Sequence, residues 1–377
     1  MHVGIALYTL SGFPQDCLRG VAAFARPHRP WTFDYAGQSL EGVKGLLRQK
    51  PDGILVSSAD QKVLHLLRDA GVPTVNMHYA ATPKELGHLR NDDVAVGEMA
   101  SAYFLQRAFT RFAYYCRTGD EQDERLEGFA TELHAKGFAC HSFDQAIAGN
   151  YDTQGKIFER KLAEWLQGLP KPIGLFCVGD HHAWIIAERC QRLGIRVPDE
   201  VAILGEGNDI TLCALANPQL SSIQSAHERI GYEAAELLDQ MMNGRAPKNL
   251  HWKVPPVRVV ERRSTDGVAA SDKAVAAALQ YMKTHLIDSE GLLALCERLH
   301  SSRRALERKF TATTGISPAE AWTRFRVEEA RRLLADTELP IAQVAEKAGF
   351  TDAKHLCLVF KKFVRETPRD FRRHASP

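Results

Sequence analysis

The chain has 377 residues, 45% of them hydrophobic and 25% charged, with a formal net charge of +2. That length exceeds what one hydrophobic core serves and predicts two or three domains, while the ordinary composition excludes a disordered, collagenous or disulfide-scaffold chain. Charge is unevenly shared: from Ser264 onward 19 Lys and Arg stand against 15 Asp and Glu, and the residues before it are slightly acidic. A basic C-terminal third fits contact with a polyanion.

The opening Met1–Tyr8 stretch is short and apolar. It has no basic leading segment and no apolar core of export length, so it is expected to be a first strand rather than a signal peptide. No run of about 18 apolar residues predicts a membrane span. The eight cysteines are scattered, and no CxxC pair suggests a zinc site or a redox dithiol. Isolated thiols in apolar contexts fit a reducing compartment, so a cytoplasmic chain without metal or cofactor is expected.

Along the first 260 residues, β-rich runs alternate with helical patterns. Strands are predicted at Val3–Thr9, Trp31–Tyr35, Gly53–Ser57, Thr74–Met77, Phe112–Cys116, Ile173–Val178 and Val201–Gly205. Helices are predicted at Asp60–Ala70, Ala95–Arg107, Glu124–Lys136, Gly155–Gln167, His181–Leu193 and Glu228–Met242. Gly71, Gly137, Gly168, Gly194 and Gly244 stand where helix C-caps are expected. This alternation predicts parallel sheets with helical crossovers, arranged as two α/β lobes, with ligands at the carboxyl ends of the strands.

The last β-like run ends at Arg263. Residues 264–271 are small and polar and read as a linker. The expected division is a sensor and dimerisation domain over 1–263 and an all-α domain over 272–377.

Two segments of the C-terminal part share one pattern. In the first, Cys296 is a small residue on an inner helix face, Ser302 an N-cap, and Leu306 and Phe310 are buried anchors. In the second, Ala345, Thr351, Leu356 and Phe360 take those roles, Gly349 supplies the turn, and the copy is one residue longer between turn and anchor. Between them Ser317-Pro318-Ala319-Glu320 opens a helix as N-cap, N1 and N3, giving a rigid spacer. Two such helix-turn-helix units on one spacer can enter successive major grooves about 34 Å apart. The residues expected to face DNA are Ser302, Arg303, Arg304, Glu307 and Arg308 in the first unit. In the second they are Thr351, Ala353, Lys354, His355 and Lys361, with Cys357 and Leu358 on the same helix. Some of these specify bases and others only hold phosphate.

The stretch Leu306…Arg308-Lys309-Phe310, Gly315-Ile316-Ser317-Pro318, Arg326…Ala330-Arg331-Arg332-Leu333-Leu334, Ile341…Val344-Ala345…Gly349-Phe350, Phe360-Lys361-Lys362 and Thr367-Pro368…Phe371-Arg372 resembles the AraC/XylS family of transcription regulators over about 100 residues. His300 and Arg365 stand where that family often has Gly. The two-lobed part resembles the LacI/GalR regulator core and, through it, periplasmic sugar-binding proteins. The resemblance implies a homodimeric activator that binds double-stranded DNA, a sugar effector such as a xylose-like pentose, and RNA polymerase. It places Arg125 and Asp180 at the effector, since a polyol both donates and accepts hydrogen bonds. Where the family commonly has an acid two residues past the glycine of Gly205-Glu206-Gly207-Asn208-Asp209, this chain has Gly207, and Asn208 or Asp209 is expected to substitute. Asp92 also matches a family acid and reads as a helix-capping residue.

Enzyme motifs are incomplete. Gly149–Lys156 has five residues between its glycines and no Ser or Thr after the lysine, so it is not a phosphate loop. His181 and His182 are adjacent and diverge on a helix, and the acidic Asp120–Glu124 stretch lacks calcium-loop spacing.

Overall fold

The computed structural model describes residues 1–7, 12–28, 31–116, 124–143, 151–267, 273–287 and 292–375. Its chain divides into two units. The first holds residues up to Asp92 together with Ala226–Pro256, and the second holds Asp93–Ser225 and the chain from Val257 on.

In the first unit the chain runs β1 (His2–Ala6), α1 (Gly12–His28), β2 (Thr32–Ala36), α2 (Leu40–Arg48), β3 (Gly53–Val56), α3 (Gln61–Ala70), β4 (Thr74–Asn76) and β5 (Gly87–Asn91). In the second it continues as α4 (Asp93–Gln106), β6 (Phe112–Tyr115), α5 (Glu124–Ala135), β7 (Cys140–Ser142), α6 (Tyr151–Gly168), β8 (Ile173–Cys177), α7 (Asp180–Arg192), β9 (Val201–Glu206), α8 (Ile210–Leu215) and β10 (Ser221–Gln224). Helix α9 (His227–Met242) and β11 (His251–Val254) return to the first unit, and β12 (Arg258–Val260) goes back to the second.

Each unit has one six-stranded sheet. The first is ordered β11-β5-β4-β3-β1-β2 and the second β12-β10-β9-β8-β6-β7. All pairings are parallel except β10 with β12. Every residue of β8 and β9 is buried, as near-continuous apolar runs in a sheet covered on both faces should be. Leu175, Val201 and Ile203 pack with Leu162 and Ile186 on one face, while Phe176, Ala202 and Leu204 pack with Phe104 and Phe129 on the other. The two α/β units agree with the predicted architecture.

The seven predicted strands match β1, β2, β3, β4, β6, β8 and β9 to within a few residues. Asp60 caps α3 by accepting from the Lys62 amide, and Gly71 ends it in the left-handed region. Gly168 differs from the expected cap, because it is the last residue of α6. The expected linker also starts too early. Ser264 and Thr265 are buried in a 3-10 turn, Arg263–Thr265, where Ser264 Oγ donates to the Ile203 carbonyl at 2.6 Å. Those two residues close the sensor fold, and 268–272 lie outside the described residues.

From 273 on the described residues form only helices: α10 (Lys273–Thr284), α11 (Leu292–Arg298), α12 (Arg303–Thr314), α13 (Pro318–Asp336), α14 (Ile341–Lys347), α15 (Ala353–Val364) and α16 (Pro368–Ala375). Val275, Leu279, Leu295, Leu306, Phe310, Trp322 and Phe325 form one core with Ala108 of the sensor. Val344, Leu356, Phe360 and Phe371 are buried in the second half. Among the described residues no helix is long and apolar enough to cross a membrane.

Candidate effector site and nucleic-acid interface

Within the second unit, acidic and basic side chains converge at the carboxyl ends of β8, β9 and β10, where such sheets bind ligands. Arg125 lies in the first turn of α5. Its Nε is 2.7 Å from Asp93 Oδ1, and its Nη1 is 2.7 Å from Glu206 Oε2 and donates also to the Val178 carbonyl. Ser225 donates to the other oxygen of Glu206. Asp93 can reach Arg125 because α4 and α5 touch backbone to backbone. A Cβ on Gly97 would sit 2.2 Å from the Arg125 carbonyl oxygen, and one on Gly128 would sit 2.1 Å from that of Val94. Burial opposes the guanidinium charge, but Glu206 and Asp93 outweigh it and hold the Arg125 pKa above its ordinary value.

Asp180 opens α7 and is 4% exposed. Burial pushes its pKa up to about 7, against the lowering effects of Ser222 and the Asp209 amide. Asp180 Oδ2 accepts from that amide at 2.7 Å. The set has one cation against Asp93, Glu206 and Asp180, so it suits a ligand that donates hydrogen bonds and disfavours an anion.

Beside Asn208 and Asp209, the residues expected to substitute at Gly207, the geometry offers another acid. The acid stands one residue earlier, at Glu206, the end of β9. Asp209 instead caps α8, accepting from the amides of Thr211 and Leu212. Asn208 Oδ1 accepts from Arg262 Nη2 at 2.8 Å. Asp93 pairs with Arg125. Sequence reasoning thus missed Asp93, Glu206 and Ser225. Glu206 carried one signal, a carboxylate closing an otherwise apolar strand.

Helix α4 links this set to the helical region. It begins with Asp93 and is followed by Arg107, whose side chain is 5% exposed and pairs with Glu261. Glu261 also accepts from Lys283 of α10 at 2.7 Å. The Arg107 guanidinium lies 3.5 Å from the Tyr103 ring centroid, and the Tyr103 hydroxyl is 2.6 Å from Thr265 Oγ1. On α13, Asp336 accepts from Arg258 at 2.9 Å and Arg331 lies against Met99 of α4.

In the two helix-turn-helix copies the second helices, α12 and α15, correspond at an offset of fifty residues and the turns before them at forty-nine. Ser302 caps α12 through the Ala305 amide, and Asp352 caps α15 through the His355 amide, fifty residues on. The cap expected at Thr351 therefore belongs to Asp352. A carboxylate reaches the amide as well as a hydroxyl does and adds charge complementary to the helix N-terminus. Thr351 Oγ1 instead lies 3.0 Å from His355 Nδ1. Gly315 and Arg365 end the two helices at φ +73° and +68°. Ser302, Arg303, Arg304, Arg308, Thr351, Lys354, His355 and Lys361 are exposed, while Glu307 and Ala353 are half-buried. Arg303 Nε donates to Glu307 Oε1 at 2.9 Å.

Residues 101–265 match the periplasmic binding protein-like domain, and residues 295–374 match a helix-turn-helix domain. The xylose operon regulatory protein of Escherichia coli (strain K12) is 28% identical over 332 residues, covering 85% of this chain and 83% of that protein. Its counterpart from Haemophilus influenzae is 26% identical over 331 residues, covering 85% and 84%. The solved structure of a xylose-binding transcription activator aligns with 100% of this chain and 98% of its own, at 25% identity and a TM-score of 0.61. A LacI family transcriptional regulator from Enterococcus faecium with bound ribose shares the sensor fold at 18% identity and a TM-score of 0.58, covering 70% of this chain and 98% of its own. The chain is a transcription regulator that joins a periplasmic-binding-protein-like sensor to an AraC-type paired helix-turn-helix domain.

Proposed function

We propose that the chain activates sugar catabolic genes when a neutral polyol, a pentose of the xylose type, binds beside Arg125, Asp93, Glu206 and Asp180. The observation that carries this reading is the enclosed Arg125 held by two carboxylates at the strand ends. Each carboxylate can accept a hydrogen bond from a hydroxyl, and the surplus negative charge turns away sugar phosphates and sugar acids. The relatives, a xylose operon regulatory protein and a xylose-binding transcription activator, support the same class. Asn208 and Asp209 serve this site indirectly, by fixing the loop after β9.

The DNA contacts are Ser302, Arg303, Arg304, Glu307 and Arg308 of the first head, with Thr351, Ala353, Lys354, His355 and Lys361 of the second. The regulator works in the cytoplasm as a homodimer that recruits RNA polymerase. Effector binding shifts the population of sensor conformations that present both DNA heads productively. A thermal-shift screen of pentoses, hexoses and their phosphates tests the effector class. Xylose or a close pentose raises the melting temperature of the wild type but not of Arg125→Ala, and stabilisation by a sugar phosphate alone would refute the reading. For DNA, Arg303→Ala with Arg304→Ala weakens specific binding more than random binding at fixed salt, and unchanged affinity would remove the first head.

A further inference from the structure

The two DNA heads are copies by backbone but not by side chain. Their anchors Leu306 and Leu356, and Phe310 and Phe360, are all fully buried, which fixes the same face of α12 and α15 inward. Positions fifty residues apart are therefore equivalent. Arg303 corresponds to Ala353, Arg304 to Lys354, Glu307 to Cys357 and Arg308 to Leu358.

In the first head these positions carry a hydrogen-bonding surface. Glu307 accepts from Arg303 at 2.9 Å, and Arg304 and Arg308 are exposed one turn apart. In the second head the same face has no such pair. Its middle is Leu358, 66% exposed, the one large hydrophobic residue exposed on either helix among the described residues. Lys354, His355, Lys361 and Lys362, at helical spacings of three and four, surround it and are exposed. A single exposed leucine is ordinary on a protein surface. A leucine ringed by three lysines and a histidine, at the place where the sister helix carries arginine, has a more specific use. On a duplex the surrounding lysines reach the phosphates, and the central side chain meets the base edges.

We infer that the two heads read different chemistry: Arg308 reads guanine by hydrogen bonds in one half-site, and Leu358 reads a thymine C5-methyl group in the other. This rests on the proposed DNA contact and deepens it, because it makes the two half-sites unlike.

The test uses the full chain, with and without xylose. Bound duplexes are selected from a randomised pool and footprinted. Each thymine in the footprint is then replaced by deoxyuridine, which lacks only the methyl group, and each guanine by 7-deazaguanine, which lacks the N7 acceptor. The wild type loses about fourfold in affinity at one or two thymines of a single half-site, the worth of one buried methyl group. Leu358→Ala loses a similar factor on unmodified DNA and no longer distinguishes thymine from deoxyuridine there. Arg308→Ala loses its sensitivity to 7-deazaguanine in the opposite half-site. Leu358 is exposed and its replacement leaves the core intact, which an unchanged melting curve verifies.

Wild-type indifference to deoxyuridine at every thymine overturns the inference while leaving DNA binding standing. So does a Leu358→Ala protein that keeps the wild-type deoxyuridine response. If that variant binds DNA normally but fails to activate a reporter, Leu358 docks a protein and the inference is wrong. If no duplex is selected at all, the DNA reading itself fails, and the inference with it.

Discussion

Arg125 Nη1 lies 2.7 Å from Glu206 Oε2, with the Glu206 side chain buried and that of Arg125 17% exposed. Removing one partner of such a pair leaves an uncompensated buried charge, which costs about 3–5 kcal/mol. Arg125→Met leaves Asp93 and Glu206 facing each other and is expected to lower stability by that amount. Glu206→Gln keeps the shape and one acceptor, and loses less. Urea unfolding with an unchanged slope measures both. A loss below about 1 kcal/mol for Arg125→Met would mean that water already screens the pair.

Asp180 and His88 respond to pH in opposite directions. The folded pKa of Asp180 is about 7, against about 3.9 in an unfolded chain. Between those values the folded state holds a proton that unfolding releases. Its contribution to stability therefore falls as pH rises through that window, by about 1.4 kcal/mol per pH unit, and levels off above it. His88, buried on β5 with Nε2 2.7 Å from the His78 carbonyl oxygen, has its pKa lowered to about 4, mainly by burial. Unfolding then takes up a proton between about 4 and 6.5, so stability is lost as pH falls through that range. Unfolding free energies of wild type minus Asp180→Asn, and of wild type minus His88→Gln, should show these opposite slopes between pH 5 and 6.5. Parallel lines would contradict the assignments.

What the sequence made legible follows from physical range. Strands β8 and β9 announce themselves because a strand buried on both faces must be apolar throughout. The helix-turn-helix pair shows in sequence because caps, turn and anchors fall within about twenty residues of one another. The polar strands β5 (GHLRN) and β10 (SSIQ) carry no such run, since hydrogen bonding to neighbours places them, and they were not expected. The candidate effector set is the hardest case. Asp93, Arg125 and Glu206 lie far apart in sequence, and they meet only because Gly97 and Gly128 let two helices close to backbone contact. Arg125 and Asp180 were found through family resemblance, whereas their partners depend on three-dimensional packing.

The joint at Arg107 predicts how effector and DNA domain communicate. Helix α4 has 14 residues, a rod about 21 Å long, with Asp93 at one end and the Arg107–Glu261–Lys283 cluster just beyond the other. Glu261→Ala breaks the link to α10 and strands the buried guanidinium. Effector binding should stay intact, because the Arg125 set is untouched. Amide exchange in α10 should speed up at least tenfold, and effector-dependent reporter activity should drop. Unchanged exchange in α10, or lost effector binding, would rule out a mechanical role for this cluster.

The turns of the two heads supply the last prediction. His300 and Gly349 occupy the same position, each donating its amide three residues back, to the carbonyls of Glu297 and Glu346. Both are left-handed, at φ +46° and +80°. Glycine takes this conformation freely, whereas a side chain costs about 1 kcal/mol there. His300 is exposed, so His300→Gly should relieve that strain and stabilise the first head by up to about 1 kcal/mol, less what glycine adds to unfolded-chain entropy. Gly349 has no such latitude, since an added Cβ would lie 2.0 Å from the Leu286 carbonyl oxygen. Gly349→Ala should therefore destabilise the second head by more than the same conformational cost, about 2 kcal/mol or more. Melting of the full chain, with amide exchange reporting α11 and α14 separately, reads the two signs. If both changes destabilise equally, the two turns are not conformational equivalents.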